Sequence, residues 1–349
     1  MNSIKYFAIA LLLFSSCKKE EVTPAFEGEF KNGILILNEG LFNLNNSTLS
    51  WLDLSTNEVT NDLFLSINNR QLGDTGNDML LYGNKIYIVI SVSSTVEVID
   101  RNTLVSIKQI PFNHNNQSQQ PRNLASHNGK VFVSSYDGYV SAIDTSSLTV
   151  TNRIKVGRNP EGICISNNSL FVANSGGLDY NNPDSTVFEI DLTSLSVVDT
   201  FIVGPNPGAI IADEYSNVYV VKRGNYGSDP SELIRLNTHD KVVTNLGHVA
   251  TTLTKKGNLL YLGHYDFNAN ASNVSIFDCS SQTLIDHSLI SNQDITTLYG
   301  IVPFKTEQLI CIDAMNFTNS GYLRFFNSTG QLTNSFNVGL NPNSIIHYE

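Results

Sequence analysis

The chain has 349 residues, 41% of them hydrophobic and 15% charged, so it is long and apolar enough to bury a large core. Its 21 Lys and Arg residues against 32 Asp and Glu residues give a formal net charge of -11, which argues against a nucleic-acid partner because phosphates attract basic surfaces. Four cysteines without a Cys-x-x-Cys pair exclude a disulfide scaffold and do not indicate a structural zinc site. We expect no cofactor.

The N-terminal segment has the layout of a secretory signal peptide. Residues 1–16 contain Lys5, an apolar run and small residues that end directly before Cys17. The apolar run is too short to span a bilayer. We predict a lipoprotein signal peptide over residues 1–16, then a lipidated Cys17 and a flexible tether over residues 17–30, where apolar periodicity is lacking. An ordinary signal peptide with a chance cysteine is the alternative.

The residues around Cys17 resemble sorting signals of bacterial lipoproteins. Leu13–Cys17 is similar to a lipobox, although Phe14 stands where an aliphatic residue is more usual. Lys18–Glu21 resembles the surface-export tag of some Gram-negative lipoproteins. The resemblance implies an outer-membrane protein that contacts the membrane only through its lipid and exposes its folded domain at the cell surface.

A strand pattern recurs along the chain at intervals of roughly 40 to 50 residues. In each unit an apolar run, alternating with a period of two, ends in Asp or Asn. We interpret the Asp residues as turn residues rather than as an array of carboxylates, because an Asp side chain accepts from backbone N–H groups two residues on. The seven strand ends are Asp53, Asp100, Asp144, Asp191, Asn237, Asp278 and Asn327.

Each unit contains four strands. One apolar run precedes each strand described above and another follows it, and a leading strand opens most units after a Pro or Gly turn. Four-stranded units of this length are typical of propeller blades. The first unit begins at its second strand, residues 34–37, while the chain ends with an unpartnered strand at about residues 343–348. We predict an all-β, monomeric, seven-bladed β-propeller over residues 31–349, closed by pairing these two strands, which removes two sheet edges.

Several motifs resemble those of a known propeller group. Val156–Pro160, Val203–Pro207 and Val338–Pro342 each precede a leading strand and are similar to the VGxxP turn of YVTN-repeat propellers, the YncE-like group. Phe171–Asn174 resembles their YVTN strand, and Val140–Thr145 their VSVID strand. The resemblance covers all seven units and implies the propeller fold.

A narrower resemblance concerns the first two units. Leu37–Gly40, Gly73 followed by Asp74, and Lys85–Val89 are similar to the opening of surface lipoprotein propellers that include the BtuG-like group. Members of that group capture cobalamin for an outer-membrane transporter. The resemblance implies cobalamin as the ligand and such a transporter as the partner.

The longer loops of the predicted propeller fall on one face. They join second to third strands and last strands to the next blade, and they carry aromatic residues with arginines nearby. Flat aromatic surface mixed with polar donors suits a large polar ligand, whereas the net acidity argues against an anionic ligand unless the arginines act locally. The alternative is that Asn and Gly make turns and the rings only fill the centre. The candidate ligand-binding residues are Phe42, Arg70, Arg122, Tyr136, Tyr180, Arg223, Tyr226, His264, Tyr265, Phe267 and Phe317.

No metal site is predicted. Asp179, Asn181 and Asp184 place oxygen ligands at intervals, but the Gly and terminal Glu of a calcium loop are lacking, so calcium is a weak alternative here. The remaining cysteines are expected to be small buried apolar residues. They are Cys164, Cys279 and Cys311.

The sequence therefore favours a binding protein over an enzyme. It contains no HExxH, no GxSxG and no paired catalytic carboxylates, although lyases and quinoprotein dehydrogenases also occur among propellers. We expect a surface-anchored outer-membrane lipoprotein that binds a nutrient, cobalamin being the best candidate, for delivery to a transporter. The alternative is an interaction or adhesion module without a small ligand.

Overall fold

The computed structural model describes residues 30–349 except 178, 180, 226–227, 292–293 and 306–307. The predicted signal peptide, Cys17 and residues 18–29 of the tether lie outside the described residues and stay predictions. Two candidate site residues, Tyr180 and Tyr226, lie outside them as well.

Seven four-stranded antiparallel sheets, numbered here as blades 1 to 7 in chain order, make up the fold and confirm the predicted propeller. Blade 1 contributes three strands before the chain enters blades 2 and 3, with a short helix before blade 2 and a small hairpin, β8 and β9, before blade 3. These elements are β1 (Gly33–Asn38), β2 (Thr48–Asp53), β3 (Glu58–Thr60), α1 (Leu63–Asn68), β4 (Gly76–Tyr82), β5 (Lys85–Ile90), β6 (Thr95–Asp100), β7 (Ser106–Pro111), β8 (Asn113–His114), β9 (Gln117–Ser118), β10 (Pro121–His127), β11 (Lys130–Ser135), β12 (Tyr139–Asp144) and β13 (Thr149–Lys155).

Blades 4 to 7 follow with four consecutive strands each, and the last strand of the chain returns to blade 1. The helix α1 and the hairpin were not predicted from the sequence. No helix in the described part of the chain is long and apolar enough to cross a membrane. The remaining strands are β14 (Pro160–Ser166), β15 (Ser169–Asn174), β16 (Thr186–Asp191), β17 (Ser196–Ile202), β18 (Pro207–Ala212), β19 (Asn217–Lys222), β20 (Glu232–Asn237), β21 (Val243–Asn245), β22 (Thr252–Lys256), β23 (Leu259–Asp266), β24 (Ala271–Asp278), β25 (Thr283–Ser291), β26 (Leu298–Phe304), β27 (Gln308–Asp313), β28 (Ser320–Phe326), β29 (Leu332–Leu340) and β30 (Pro342–Tyr348).

The ring closes as predicted, through the C-terminal strand. β30 pairs antiparallel with β1, in a register that runs from Gly33 opposite Tyr348 to Asn38 opposite Pro342. Trp51 on β2 packs edge-on against the Tyr348 ring, with the ring centroids 5.1 Å apart. The closure therefore provides hydrogen-bond partners for the backbone N–H and C=O groups on the free edge of β1. It also buries the one tryptophan of the sequence.

The core lies between the blades. The second strands are apolar along most of their length and buried on both faces, as in β5, because each sheet is covered by the sheets of its two neighbours. Ile86 and Ile88 face the cluster shared with blade 1, whereas Tyr87 and Val89 face the cluster shared with blade 3. Cys279 and Cys311 are buried and Cys164 is partly buried, and all three are free thiols, which agrees with the expected packing role.

The strand-end Asp residues are turn residues, as predicted. The Asp144 carboxylate accepts from the backbone N–H groups of Ser146 at 3.1 Å and Ser147 at 2.8 Å. Side-chain and backbone hydrogen bonds of this kind hold the pKa of Asp144 below its usual value. The same arrangement recurs at Asp53, Asp100, Asp191 and Asp278.

The innermost strands of blades 3, 4 and 5 share a bulge at their first residues. In blades 3, 4 and 5 the pairing shifts directly after Pro121, Pro160 and Pro207. Proline suits the first position of a strand because it has no N–H to donate to the ladder. A bulge redirects the side chains beside it, and here it places the residues that follow the proline, Arg122 and Glu161, at the centre of the ring.

Candidate functional site

A cavity of about 960 Å³ lies at the centre of the ring and is referred to below as the central cavity. The innermost strands of all seven blades contribute to its wall, and loops on the face predicted to carry the longer loops contribute to its mouth. Six of the wall residues from different blades are Asn77, Arg122, Glu161, Gly208, Leu298 and Asn343.

A buried carboxylate, Glu161, holds the positively charged side of the cavity together. The Arg122 Nε atom lies 3.2 Å from Glu161 Oε2, and its Nη1 atom lies 3.4 Å from the Ser91 hydroxyl. The Tyr136 hydroxyl also donates to Glu161, and the Tyr136 ring lies 4.6 Å from the centre of the Arg122 guanidinium. Burial alone would raise the pKa of Glu161, but Arg122 and Arg223 outweigh it and hold that pKa below its ordinary value.

A second guanidinium, that of Arg223, approaches the same carboxylate from blade 5. Its Nη1 atom lies 3.7 Å from Glu161 Oε1, and 34% of its side chain is exposed. The guanidinium packs on β18 at Gly208, where a Cβ atom would lie 2.6 Å from Arg223 Cζ. Glycine at position 208 is therefore what allows this cation to lie against the cavity wall.

Glu39 and Tyr299 form a second polar pair beside this cluster. The Tyr299 hydroxyl donates to Glu39 Oε2 at 2.8 Å. Burial raises the pKa of Glu39, and it does so against the hydrogen bond from Tyr299 and the positive charge of Arg122. Burial and the neighbouring carboxylate raise the pKa of the Tyr299 phenol, which therefore stays protonated and donates.

Four rings from blades 6 and 7 form an aromatic wall, defined as Tyr265, Phe267, Tyr299 and Phe317. Phe267 lies edge-on to Tyr265 with centroids 4.6 Å apart and is stacked on Phe317 at 6.5 Å. Tyr299 packs edge-on against Phe317 at 5.7 Å. Phe267 is 69% exposed, so the wall offers apolar surface to a ligand as well as to its own members.

Two further titratable groups border the cavity. Burial raises the pKa of Asp78 to about 6, against hydrogen bonds from the backbone N–H groups of Leu124 at 3.0 Å and Met79 at 2.8 Å. Burial lowers the pKa of His264, whose Nδ1 atom is buried without a hydrogen-bond partner among the described residues. Asp78 ties blade 2 to blade 3, whereas His264 presents a neutral imidazole at the cavity wall.

The structure brings together most of the predicted site residues that it describes. Arg122, Arg223, His264, Tyr265, Phe267 and Phe317 line the central cavity. Tyr136 contacts Arg122 and Glu161 and borders a smaller cavity of about 240 Å³. Phe42 is 70% exposed on the loop after β1 and is not part of the cavity wall.

Arg70 lies elsewhere. Its Nη2 atom is 2.8 Å from Glu97 Oε1 on β6, and its guanidinium lies 4.8 Å from the Phe64 ring of α1. The Glu97 side chain is fully buried, so this ion pair fastens the connection between blades 1 and 2. Arg70 lies near the loops of the face that carries the cavity mouth, but its side chain does not line the cavity.

The candidate calcium ligands engage groups of the chain itself. The Asp184 carboxylate accepts from the backbone N–H groups of Arg158 and Thr186, both at 3.0 Å. Asp179 lies 3.2 Å from the Arg158 guanidinium. The described residues contain no group of three or more His, Cys, Asp or Glu side chains placed to hold a metal ion. The described contacts of Asp179 and Asp184 hold the loop between β15 and β16 onto the neighbouring loop at Arg158.

Sequence reasoning missed Glu39, Glu161 and Tyr299. Glu161 directly follows Pro160, at the same position of its unit as Arg122 after Pro121. A comparison of the residue after this proline across the repeats would have found it. Glu39 lies within the Leu37–Gly40 motif, but no signal marks Tyr299 or its contact with Glu39, because their meeting depends on the ring bringing blades 1 and 7 together.

Comparison with known proteins supports the fold. No curated protein matches the chain. Among solved structures, a quinonprotein alcohol dehydrogenase-like protein from Bacteroides thetaiotaomicron matches with a TM-score of 0.67 and 14% identity, over 92% of this chain and 79% of the other. A putative 6-phosphogluconolactonase from Bacteroides fragilis matches with a TM-score of 0.64 and 13% identity, over 91% and 98%. A protein from Lactobacillus plantarum matches with a TM-score of 0.66 and 14% identity, over 91% and 100%.

Identities this low show a shared fold and nothing more. One family model covers most of the propeller: its description is "Domain of unknown function (DUF5074)", and it matches residues 32–339. The chain therefore belongs to the DUF5074 family.

Proposed function

We propose that the protein is a cell-surface binding protein whose central cavity holds one small-molecule nutrient. The observation that carries the proposal is the cavity itself. Its volume of about 960 Å³ falls at the upper end of the range typical of small-molecule sites, roughly 300 to 1,000 Å³. Two arginines and an aromatic wall give this space the few polar groups and the apolar surface that such sites combine.

The rigidity of the site supports binding. Arg122, Glu161 and Tyr299 belong to innermost strands, and each is held by a partner from another blade. Little ordering entropy is then lost when a ligand enters. A preorganised wall of this kind favours high affinity over adaptability.

Binding rather than catalysis is the better account of the carboxylates. Glu161 is shared between two guanidiniums and a phenol, and Asp78 accepts from backbone N–H groups. A general base has to be available to a substrate proton. Each of these carboxylates is instead engaged within the wall.

Cobalamin is the first ligand to test, because Leu37–Gly40 and the Gly73-Asp74 pair resemble the BtuG-like group. Glu39 of the first motif reaches the cavity border, and Asp74 of the second accepts from the backbone N–H groups of Asn43 and Asn45. Residues 18–349 would be titrated with cyanocobalamin by calorimetry, with haem and a siderophore panel as controls. Saturable one-to-one binding supports the proposal, and an absence of heat at micromolar protein removes cobalamin as the ligand.

A second candidate function, docking of a protein partner, is favoured by the loop after β1. Phe42 and Leu44 are 70% and 59% exposed although the loop is held in place by Asp74. Exposed apolar side chains on an ordered loop are typical of an interaction surface. An outer-membrane transporter that receives the ligand is the proposed partner. Changing both residues to Ala should abolish capture of the transporter while leaving ligand binding intact; the opposite pattern would contradict this role.

A further inference from the structure

Arg223 has donors that the surrounding protein does not use. A guanidinium carries five N–H donors. Among the described residues, the polar contact of the Arg223 guanidinium is the one to Glu161 Oε1 at 3.7 Å, which is longer than a hydrogen bond. Glu161 already accepts from Arg122 and Tyr136. By contrast, Arg158 on the same face donates both to Asp179 and to the backbone carbonyl of Asn182.

The acidic groups near Arg223 are engaged with other partners. The Asp229 carboxylate lies 2.6 Å from Lys222 Nζ. Asp266 accepts from the backbone N–H groups of its own turn, at Asn268 and Ala269. Within the part of the chain that the structure describes, Glu161 is the one carboxylate within ion-pair distance of Arg223, and it is shared with Arg122. Arg122 and Arg223 therefore share the Glu161 carboxylate, while Glu39 is a second acidic group near Arg122.

The partial burial of Arg223 strengthens any hydrogen bond that its guanidinium donates to a ligand. Its side chain is about two-thirds covered, packed on Gly208 at the cavity wall. A charge-assisted hydrogen bond gains strength when water is partly excluded. Blade 6, the neighbour of the blade that carries Arg223, begins the aromatic wall with Tyr265 and Phe267.

We infer that the ligand of the central cavity carries an acidic group, a carboxylate or a phosphate ester, which binds Arg223 while a flat apolar body rests on the aromatic wall. This inference rests on the proposed function and adds the ligand class to it. In a protein of net charge -11, Arg223 would supply the local positive charge that such an anion needs.

A matched pair of fluorescent probes tests the inference. 8-Anilinonaphthalene-1-sulfonate carries an acidic group on an aromatic body, and N-phenyl-1-naphthylamine has the same body without it. We expect the sulfonate to bind the purified protein more tightly. Arg223→Gln should weaken sulfonate binding by about tenfold, the value of one charge-assisted hydrogen bond. It should leave the affinity for the neutral probe unchanged, which also shows that the variant is folded.

Two further variants separate the possible outcomes. Arg158→Gln removes an exposed arginine of the same face and should change neither affinity. Phe267→Ala should weaken both probes. If Phe267→Ala weakens both but Arg223→Gln leaves the sulfonate affinity intact, the acidic-ligand inference is overturned while the binding cavity stands. If neither variant affects either probe, the proposed function falls together with the inference.

Discussion

The Tyr299 hydroxyl donates to the Glu39 carboxylate at 2.8 Å although the two residues lie 260 positions apart in the sequence. Tyr299 belongs to the innermost strand of blade 7, and Glu39 directly follows β1, the second strand of blade 1. The contact exists because β30 completes blade 1 and closes the ring. The central cavity is thus assembled from both ends of the chain.

Tyr299→Phe should raise the pKa of Glu39. The hydrogen bond from Tyr299 stabilises the ionised carboxylate and lowers the pKa of Glu39, whereas burial raises it. Without the hydrogen bond, the effect of burial on the pKa is larger. The carboxyl carbon shift of Glu39, followed by NMR as a function of pH, measures the change. Tyr265→Phe is the control, since that hydroxyl donates to Asn270. An equal shift in both variants would contradict the assignment.

Glu161→Gln should lower the free energy of unfolding by about 2 kcal/mol, the scale of hydrogen bonds to charged groups. The substitution leaves the partly buried guanidiniums of Arg122 and Arg223 without their shared anion. Urea denaturation measures the loss. Glu214→Gln serves as the control because the Glu214 side chain is 62% exposed, and a change there of less than about 0.5 kcal/mol is expected. Equal losses would show that Glu161 does not hold the cluster together.

The contribution of Asp78 to stability should fall as the pH rises from 5 to 7. Its folded pKa of about 6 lies above its ordinary value of 3.8, so the folded state binds more protons than the unfolded state between these values, and raising the pH costs stability. Relative to Asp78→Asn, the wild type should lose about 1 kcal/mol between pH 5 and pH 7. Denaturant unfolding of both proteins at both pH values checks this. A difference that is the same at both pH values would be inconsistent with a raised pKa.

Phe267→Ala should weaken ligand binding, whereas Phe42→Ala should leave it unchanged. The two side chains are about equally exposed, at 69% and 70%, so neither change should cost much stability. Only Phe267 belongs to the wall of the central cavity. We expect Phe267→Ala to weaken the binding of the ligand by about tenfold, since burial of a large aromatic side chain is worth roughly 1.5 to 3 kcal/mol. If Phe42→Ala weakened ligand binding instead, the ligand site would lie at the loop after β1 and not in the central cavity.

Cys17→Ala should prevent lipid attachment. The predicted signal peptide places Cys17 as the acylated first residue, and acyl chains supply the membrane affinity. Labelling with radioactive palmitate and fractionation of cells would follow the change. We expect the wild type to be labelled and to be cleaved by protease added to intact cells. A labelled Cys17→Ala variant would rule out this anchor.

The amino-acid sequence alone determined the four-stranded blade units, the blade count and the closure of the ring. Strand alternation and the Asp turns are local features that extend over a few residues, and their repetition marks each blade. The second strand of blade 1 and the unpartnered C-terminal strand together left one way to remove the sheet edges. The turn role of Asp144 and its equivalents followed from the same local chemistry.

Only the tertiary structure decided which polar side chains meet at the centre. Arg70 and Arg122 both lie near loops of the same face, yet Arg122 lines the cavity and Arg70 pairs with Glu97. The difference arises from the bulge after Pro121, which redirects the next side chain inward, and from the separate path of the chain through α1. The pair of Glu39 and Tyr299 depends on the ring as a whole, because contacts between distant residues are set by packing and register rather than by local sequence.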